Sequence, residues 1–192
     1  MPGPAATPRI APLEAPYDAQ TEKLLRAWMP PNSPLEPLVL FRALARHPEL
    51  ASRMRPLGAG ILGHGLIEPR QREILIHRTC ARAGAEYEWG VHAVAFGAPL
   101  GLTERQLAAT VNGDGDDPAW SPHDALLIRL ADELHETSSV SDALWSDLAQ
   151  CYGPPELLEL IAIVGWYHLI SYLINAARIA PETWARRFPA AA

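Results

Sequence analysis

Lysine is almost missing from this sequence. Of its sixteen basic residues only Lys23 is a lysine, and it lies near the N-terminus. Schiff-base chemistry in the core and a phosphate-binding P-loop lysine are thereby excluded. Cysteine is nearly as scarce. Cys80 and Cys151 stand far apart, so no Cys-x-x-Cys, four-cysteine zinc site or disulfide framework can be built. There is no basic run, and twenty-two acidic side chains leave a net charge of −6, a poor basis for binding nucleic acid. The opening MPGPAATPRIAPLEAP has no apolar core of signal-peptide length. The longest apolar stretch, Leu160 to Ile174, is interrupted by His168 and Ser171 and is shorter than the ~20 apolar residues a membrane span needs. No segment shows convincing strand alternation. These absences together point to a soluble, reduced, cytoplasmic protein with no nucleic-acid or membrane partner.

What is present suits one well-filled core: 192 residues, 48% hydrophobic and 20% charged. Nine of the nineteen prolines fall within the first 38 residues. Residues 1–16 therefore read as an extended arm, lying on another surface or disordered, ahead of a single all-helical domain spanning 17–192. Apolar residues at three- and four-residue spacing predict helices over 17–29, 35–47, 48–64, 68–83 and 85–98. A capping box, Thr103-x-x-Gln106, opens a short helix to Thr110. The segment 111–122 reads as a loop. Ser121 and Ser141 start the next two helices, and Gly153-Pro154-Pro155 precedes a last one over 156–179. Leu160 to Ile174 is apolar on most faces, which predicts a central core helix, a subunit contact, or both.

Gly58-x-Gly60-x-x-Gly63 matches the dinucleotide fingerprint by letter only. No strand-like segment precedes it and no acidic residue follows about 20 positions on. Small residues allowing close helix packing are the better account. The informative stretch is Arg72 to His92. Glu73, His77 and Cys80 lie at i, i+4 and i+7, one face of a helix, and Glu88 and His92 repeat the i, i+4 spacing on the next, flanked by Tyr87 and Trp89. If the Gly84 connection folds the two helices antiparallel, those faces meet.

Carboxylates and imidazoles half-buried beside aromatic rings have pKa values pushed toward neutrality, which suits general acid–base chemistry. Glu88–His92 can equally be a surface i, i+4 pair. The ligand types of His77, Cys80, Glu88 and His92 suit zinc, but their spacing fits no standard site, so no metal or other cofactor is expected. Cys80 reads as a buried small hydrophobe. His47 reads as a cap, His64 as a turn residue, and His123 and His135 as members of a mixed helix. His168 reads as a satisfied core histidine that could line the same pocket.

Arg72-Glu73-Ile74-Leu75, Tyr87-Glu88-Trp89-x-x-His92 and Gly101-Leu102-Thr103-x-x-Gln106 together resemble the carboxymuconolactone decarboxylase family, which includes alkylhydroperoxidase D (AhpD). The resemblance covers residues 35–180 and is strongest over 68–110. It implies an all-helical AhpD-like bundle assembled as trimers or hexamers. In the AhpD branch a Cys-x-x-Cys ends four residues before an active-site His, and a Glu on the preceding helix serves the proton relay. By that correspondence the His is His92 and the Glu is Glu73, while the cysteine positions hold Ala85 and Glu88. The relay is kept and the redox pair is gone. A dithiol peroxidase needs one thiolate to attack and another to resolve, so peroxidase activity is put in doubt.

Three readings follow. In the first, Glu88 and His92 act as base and acid on a small organic acid or lactone, with Glu73 orienting His92. Arg72 or Arg78 would hold a carboxylate, and His77, Cys80, Tyr87 and Trp89 would complete the pocket. The decarboxylase tilt of this reading comes from the resemblance. The second is an alkylhydroperoxidase-type antioxidant enzyme. The third is a non-enzymatic binding protein that retains the fold, which requires a closed pocket and Glu73, Glu88 and His92 tied only to one another. Self-association is expected through Leu160–Ile174 or the arm: a dimer by default, a trimer or hexamer by resemblance.

Overall fold

Every residue from Arg72 to Cys80 is buried. A helix covered on all sides must lie at the centre of its domain, and the computed structural model, which describes residues 7–190, has α4 (Pro69–Arg82) there. Packed against it are α7 (Pro122–Thr137), α9 (Pro154–Ala177), α5 (Glu86–His92) and α6 (Glu104–Asn112). An outer layer is formed by α1 (Ala19–Ala27), α2 (Val39–Leu44), α3 (Pro48–Gly63) and α8 (Asp142–Cys151). Among the described residues there is no strand.

Local chemistry sets most boundaries. Asp18, Ser121 and Ser141 each accept a backbone N–H at a helix start. Thr103 and Gln106 form both arms of the expected capping box. His47 caps α3 through its ring nitrogen. The helix expected over 35–47 is only Val39–Leu44, because Pro34 and Pro37 hold the preceding chain extended. The last helix begins earlier than expected. Pro154 and Pro155 are tolerated in its first turn, and Glu156 accepts the Gly153 N–H at 2.7 Å.

Of the arm, residues 7–16 form no helix and lie on their own chain. Arg9 donates its N–H to the Ala177 carbonyl at 2.8 Å, and Leu13 and Arg42 exchange bonds. Residues 1–6 lie outside the described residues.

Helix α9 is a core helix along one side and leaves apolar residues exposed along the other. Leu160, Ile163, Val164, Tyr167, Ile170 and Ile174 are in the core, while Leu158, Ile161, Leu169 and Tyr172 are exposed. Its 24 residues, with a mean hydropathy of 1.8 over the most apolar window, are long and apolar enough to cross a membrane by length and composition. That corrects the shorter stretch read from the sequence. Half of that window is buried inside the fold.

Candidate active site

The turn after α4 places the chemistry. Gly84 takes a left-handed conformation (φ +64°), and the Ala85 N–H bonds to the Cys80 carbonyl at 2.8 Å. Helix α5 is thereby sent back along α4, and the two polar faces meet as expected. His92 Nδ1 donates to Glu73 Oε2 at 2.8 Å, with both residues buried. The other ring nitrogen, Nε2, lies 3.5 Å from Glu88 Oε1 and 3.2 Å from the Tyr167 hydroxyl.

Beyond His92 the helix widens into a π turn, Ala93–Gly97. Such insertions re-aim side chains and are frequent at functional sites. Here Phe96 is brought against the imidazole, with ring centroids 4.9 Å apart. Gly97 lies where a Cβ would meet the His77 ring at 3.2 Å.

The electrostatics split the two histidines. Burial disfavours charge on His92, but the Glu73 carboxylate and then Glu88 outweigh it and raise its pKa to about 10. Burial likewise works against Glu73, yet the neighbouring His92 cation holds it below its ordinary value. The resting pair is therefore imidazolium and carboxylate. His77 goes the other way: burial lowers it to about 4, with the Glu73 charge only partly opposing. Its Nδ1–H donates to the Glu73 backbone carbonyl at 2.6 Å, so the ring sits neutral behind the pair.

A cavity of about 360 Å³ opens against this cluster. Helix α5 lines it with Glu88, Val91 and His92, and the π turn adds Ala95 and Phe96. From α9 come Trp166, Tyr167 and Ile170, and from α3 come Arg55, Gly58, Ala59 and Leu62. The end of α1 and residues 28–41 close it over, together with Trp184. Its wall is overwhelmingly apolar, with the polar groups Glu88, His92 and Tyr167 converging at one place.

Of the candidates read from the sequence, Glu88 and His92 line this cavity and Glu73 stands directly behind His92. The other five do not line it. Arg72 is buried with its Nε 3.6 Å from Glu73 Oε1. Cys80 is buried beside Ser171, and burial, with Glu88 adding to it, pushes its thiol well up. Trp89 donates to the Thr110 hydroxyl at 2.9 Å, and Tyr87 faces away, donating to Glu182 and accepting from the Leu40 N–H. Arg78 is not available to a substrate either. It grips Asp132 with two nitrogens and bonds the Thr110 and Gly113 carbonyls.

His168 is not part of this pocket. It pairs with His135 at 3.0 Å on the other side of α9. The residue missed was its neighbour Tyr167, whose hydroxyl is buried and whose phenol is pushed well up by burial and then by Glu88. A tyrosine in an apolar helix carries a polar tip that needs a partner, and that signal was present. Of the glycine triplet only Gly58 fits the packing account: a Cβ there would meet the Trp166 ring at 2.8 Å, whereas one at Gly60 or Gly63 would meet open space.

No family model matches the chain, and no curated protein matches it. Solved structures do. A cysteine-to-alanine variant of the debrominase Bmp8, in complex with 2,3,4-tribromopyrrole, superposes with a TM-score of 0.75 at 16% identity, over 91% of this chain and 92% of that one. Apo Bmp8 gives 0.73 at 15% identity. A protein of unknown function from Agrobacterium tumefaciens, suggested to be the antioxidant defence protein AhpD, gives 0.67 at 15% identity, over 73% of this chain and 95% of that one. The fold is that of the AhpD-like proteins. AhpD-like structures thus include a debrominase and a candidate antioxidant protein, so one scaffold serves more than one chemistry and the reaction must be argued from the site.

Proposed function

We propose that this AhpD-like chain is an acid–base enzyme of the carboxymuconolactone decarboxylase kind, acting without a cofactor on a small organic acid or lactone. One observation carries the reading. His92, kept cationic by a buried carboxylate behind it, aims its other nitrogen into an apolar cavity beside a second carboxylate, Glu88. An acid and a base at one point of a water-poor wall are what carbon proton transfer requires.

In this mechanism Glu88 Oε1 accepts a proton from the carbon next to the substrate carbonyl, and the electron pair moves onto the carbonyl oxygen. The His92 imidazolium and the Tyr167 hydroxyl donate hydrogen bonds to that developing oxyanion. Where a carboxylate leaves instead, the carbon–carbon bond breaks, carbon dioxide departs with neither bonding electron, and the enolate is reprotonated at carbon from His92. Solvent then returns the proton to His92. Glu73 touches no substrate: it positions His92 and holds its charge. The cavity supports a ring-sized substrate. An apolar cavity of ~150 Å³ takes up benzene, and this one holds about 360 Å³.

A dithiol peroxidase finds less support. Cys80 is buried outside the cavity lining with its thiol held protonated, and Cys151 is exposed at the end of α8. A closed binding protein also finds less, since His92 does not face Glu73 and Glu88 alone but stands in a cavity wall. Self-association belongs to the same proposal: the exposed apolar residues of α9, Leu158, Ile161, Leu169 and Tyr172, would be covered by a second copy. Light scattering at 21 kDa would remove that part.

The test is turnover of a panel of lactone acids and β-keto acids, followed by deuterium uptake at carbon and by carbon dioxide release. The parent protein processes at least one member, and Glu88→Gln and His92→Ala each abolish it. Near-parental rates in both variants overturn the proposal.

A further inference from the structure

Arg55 is the one arginine among the described residues that line the cavity, and no lysine lines it. Helix α3 presents it at i, i+3, i+4 and i+7 with Gly58, Ala59 and Leu62, so that Arg55 belongs to the stripe lining the cavity, at its solvent edge where Ala59 is exposed. It is half-buried, whereas Glu88 and His92 are 8% and 3% exposed, so the cation stands nearer to solvent than the acid–base pair. It comes from α3, a different wall from α5, which carries that pair.

Arg55 also lacks the partner other arginines have. The arginines of α4 are committed: Arg72 lies against Glu73, Arg78 and Arg82 against Asp132, and Arg70 against Asp124. Among the described residues no carboxylate approaches Arg55 within ion-pair distance. Its single hydrogen bond is a long one, 3.4 Å, from Nη1 to the Ala27 carbonyl. Glu88, the only carboxylate lining the cavity, is turned to His92. A guanidinium beside an apolar cavity with most of its five donors unspent favours an anion arriving with the ligand, and its planar fork matches a carboxylate.

We infer that Arg55 is the specificity-determining residue of this cavity, and that its ligand is an apolar ring carrying one carboxylate. The carboxylate sits on the Arg55 guanidinium. The ring lies between Trp166, Phe96 and Ile170. The reacting carbon meets Glu88 and His92. The reverse orientation brings the ligand carboxylate against Glu88, whose like charge works against it, beside a His92 cation already engaged by Glu73 and Glu88. This inference deepens the acid–base reading and rests on it for the role of the deep end, whereas the anchoring of the carboxylate is measurable separately.

The experiment uses phenylacetate and its neutral isostere phenylacetamide, with binding followed by the fluorescence of Trp28, Trp166 and Trp184 in the cavity wall. The parent binds the carboxylate at least about tenfold more tightly than the amide, the scale of a charge-assisted bidentate contact. Arg55→Gln abolishes the preference while binding the amide as before, and Arg55→Lys restores part of it. Circular dichroism melts confirm that both variants fold. Equal binding of the two probes by the parent, uptake of neither, or an unchanged preference in Arg55→Gln overturns the inference. Deuterium exchange with the His92→Gln protein is read alongside. If the carboxylate preference depends on Arg55 but His92→Gln exchanges as fast as the parent, the anchor stands and the acid–base reading falls. The reverse pattern keeps the acid–base reading and removes the anchor.

Discussion

Replacing Glu73 by glutamine keeps its shape and removes its charge, which isolates the one interaction on which His92's role depends. Glu73 is fully buried and accepts from His92 Nδ1 at 2.8 Å. Allowing for the spread of both charges, their centres lie roughly 4 Å apart, and at an effective dielectric of about 20 the attraction is ~4 kcal/mol. At 1.36 kcal/mol per unit that is about three pKa units. His92, raised to about 10 in the parent, is therefore expected to titrate near neutrality in Glu73→Gln. Burial still works against the cation there, and Glu88 alone supports it.

The assay for this is two-dimensional NMR of the imidazole nitrogens between pH 6 and 10. The parent shows both nitrogens of His92 protonated at pH 8.5, and the variant shows one. Stability falls as well, because removing one member of a buried pair leaves the other uncompensated. Such losses run to about 3–5 kcal/mol, with the amide's retained hydrogen bond keeping the cost near the low end. At roughly 2–4 °C per kcal/mol for a chain of this size, Tm drops by about 6–12 °C. A parent His92 already neutral at pH 8.5, or a variant His92 still fully protonated there, would refute the reasoning.

Four further outcomes are expected. His92's pKa is raised on folding, so between about 6.5, its unfolded value, and about 10 the native state binds a proton that the unfolded state lacks. Denaturant melts should show stability fully present below that window and lost as pH rises through it. His77 has the opposite sign: it is lowered to about 4, so stability should also decline as pH falls from 6.5 toward 4, and His77→Gln should flatten that acid limb. With an aromatic disulfide reagent, exposed Cys151 should react at once and buried Cys80 only on unfolding; two fast thiols in the native protein would contradict the packing around Cys80. Gly58→Val should push against the Trp166 ring, which a Cβ already meets at 2.8 Å, costing about 1–3 kcal/mol and shrinking the cavity; unchanged melting and unchanged Trp fluorescence would count against that contact.

Local rules in the chain determined the helical architecture. Capping side chains at Asp18, Thr103, Ser121 and Ser141, prolines in first turns and a left-handed Gly84 act within a few residues of where they stand, so they are readable without knowing the rest of the fold. The pairing of Glu73 with His92 was readable for a similar reason. Each lies on a helix with a known face, and a one-glycine connection leaves little choice about how those faces meet.

The cavity was decided elsewhere. Whether a buried residue lines empty space or packs against a neighbour depends on segments far away in sequence, and Arg72, His77, Cys80 and Trp89 share a polar stretch with His92 yet lie outside the cavity. Tyr167 and Trp166 come from a helix 75 residues beyond His92, Arg55 from α3, and the roof from residues 28–41, which no periodicity connects to the site. The π turn after His92 shifts the phase of Phe96 by one residue, a change invisible to any reading that assumes 3.6 residues per turn. Residue types near one another in sequence thus determined which protons can move. Only the packing of distant helices decided what shape of molecule can reach them.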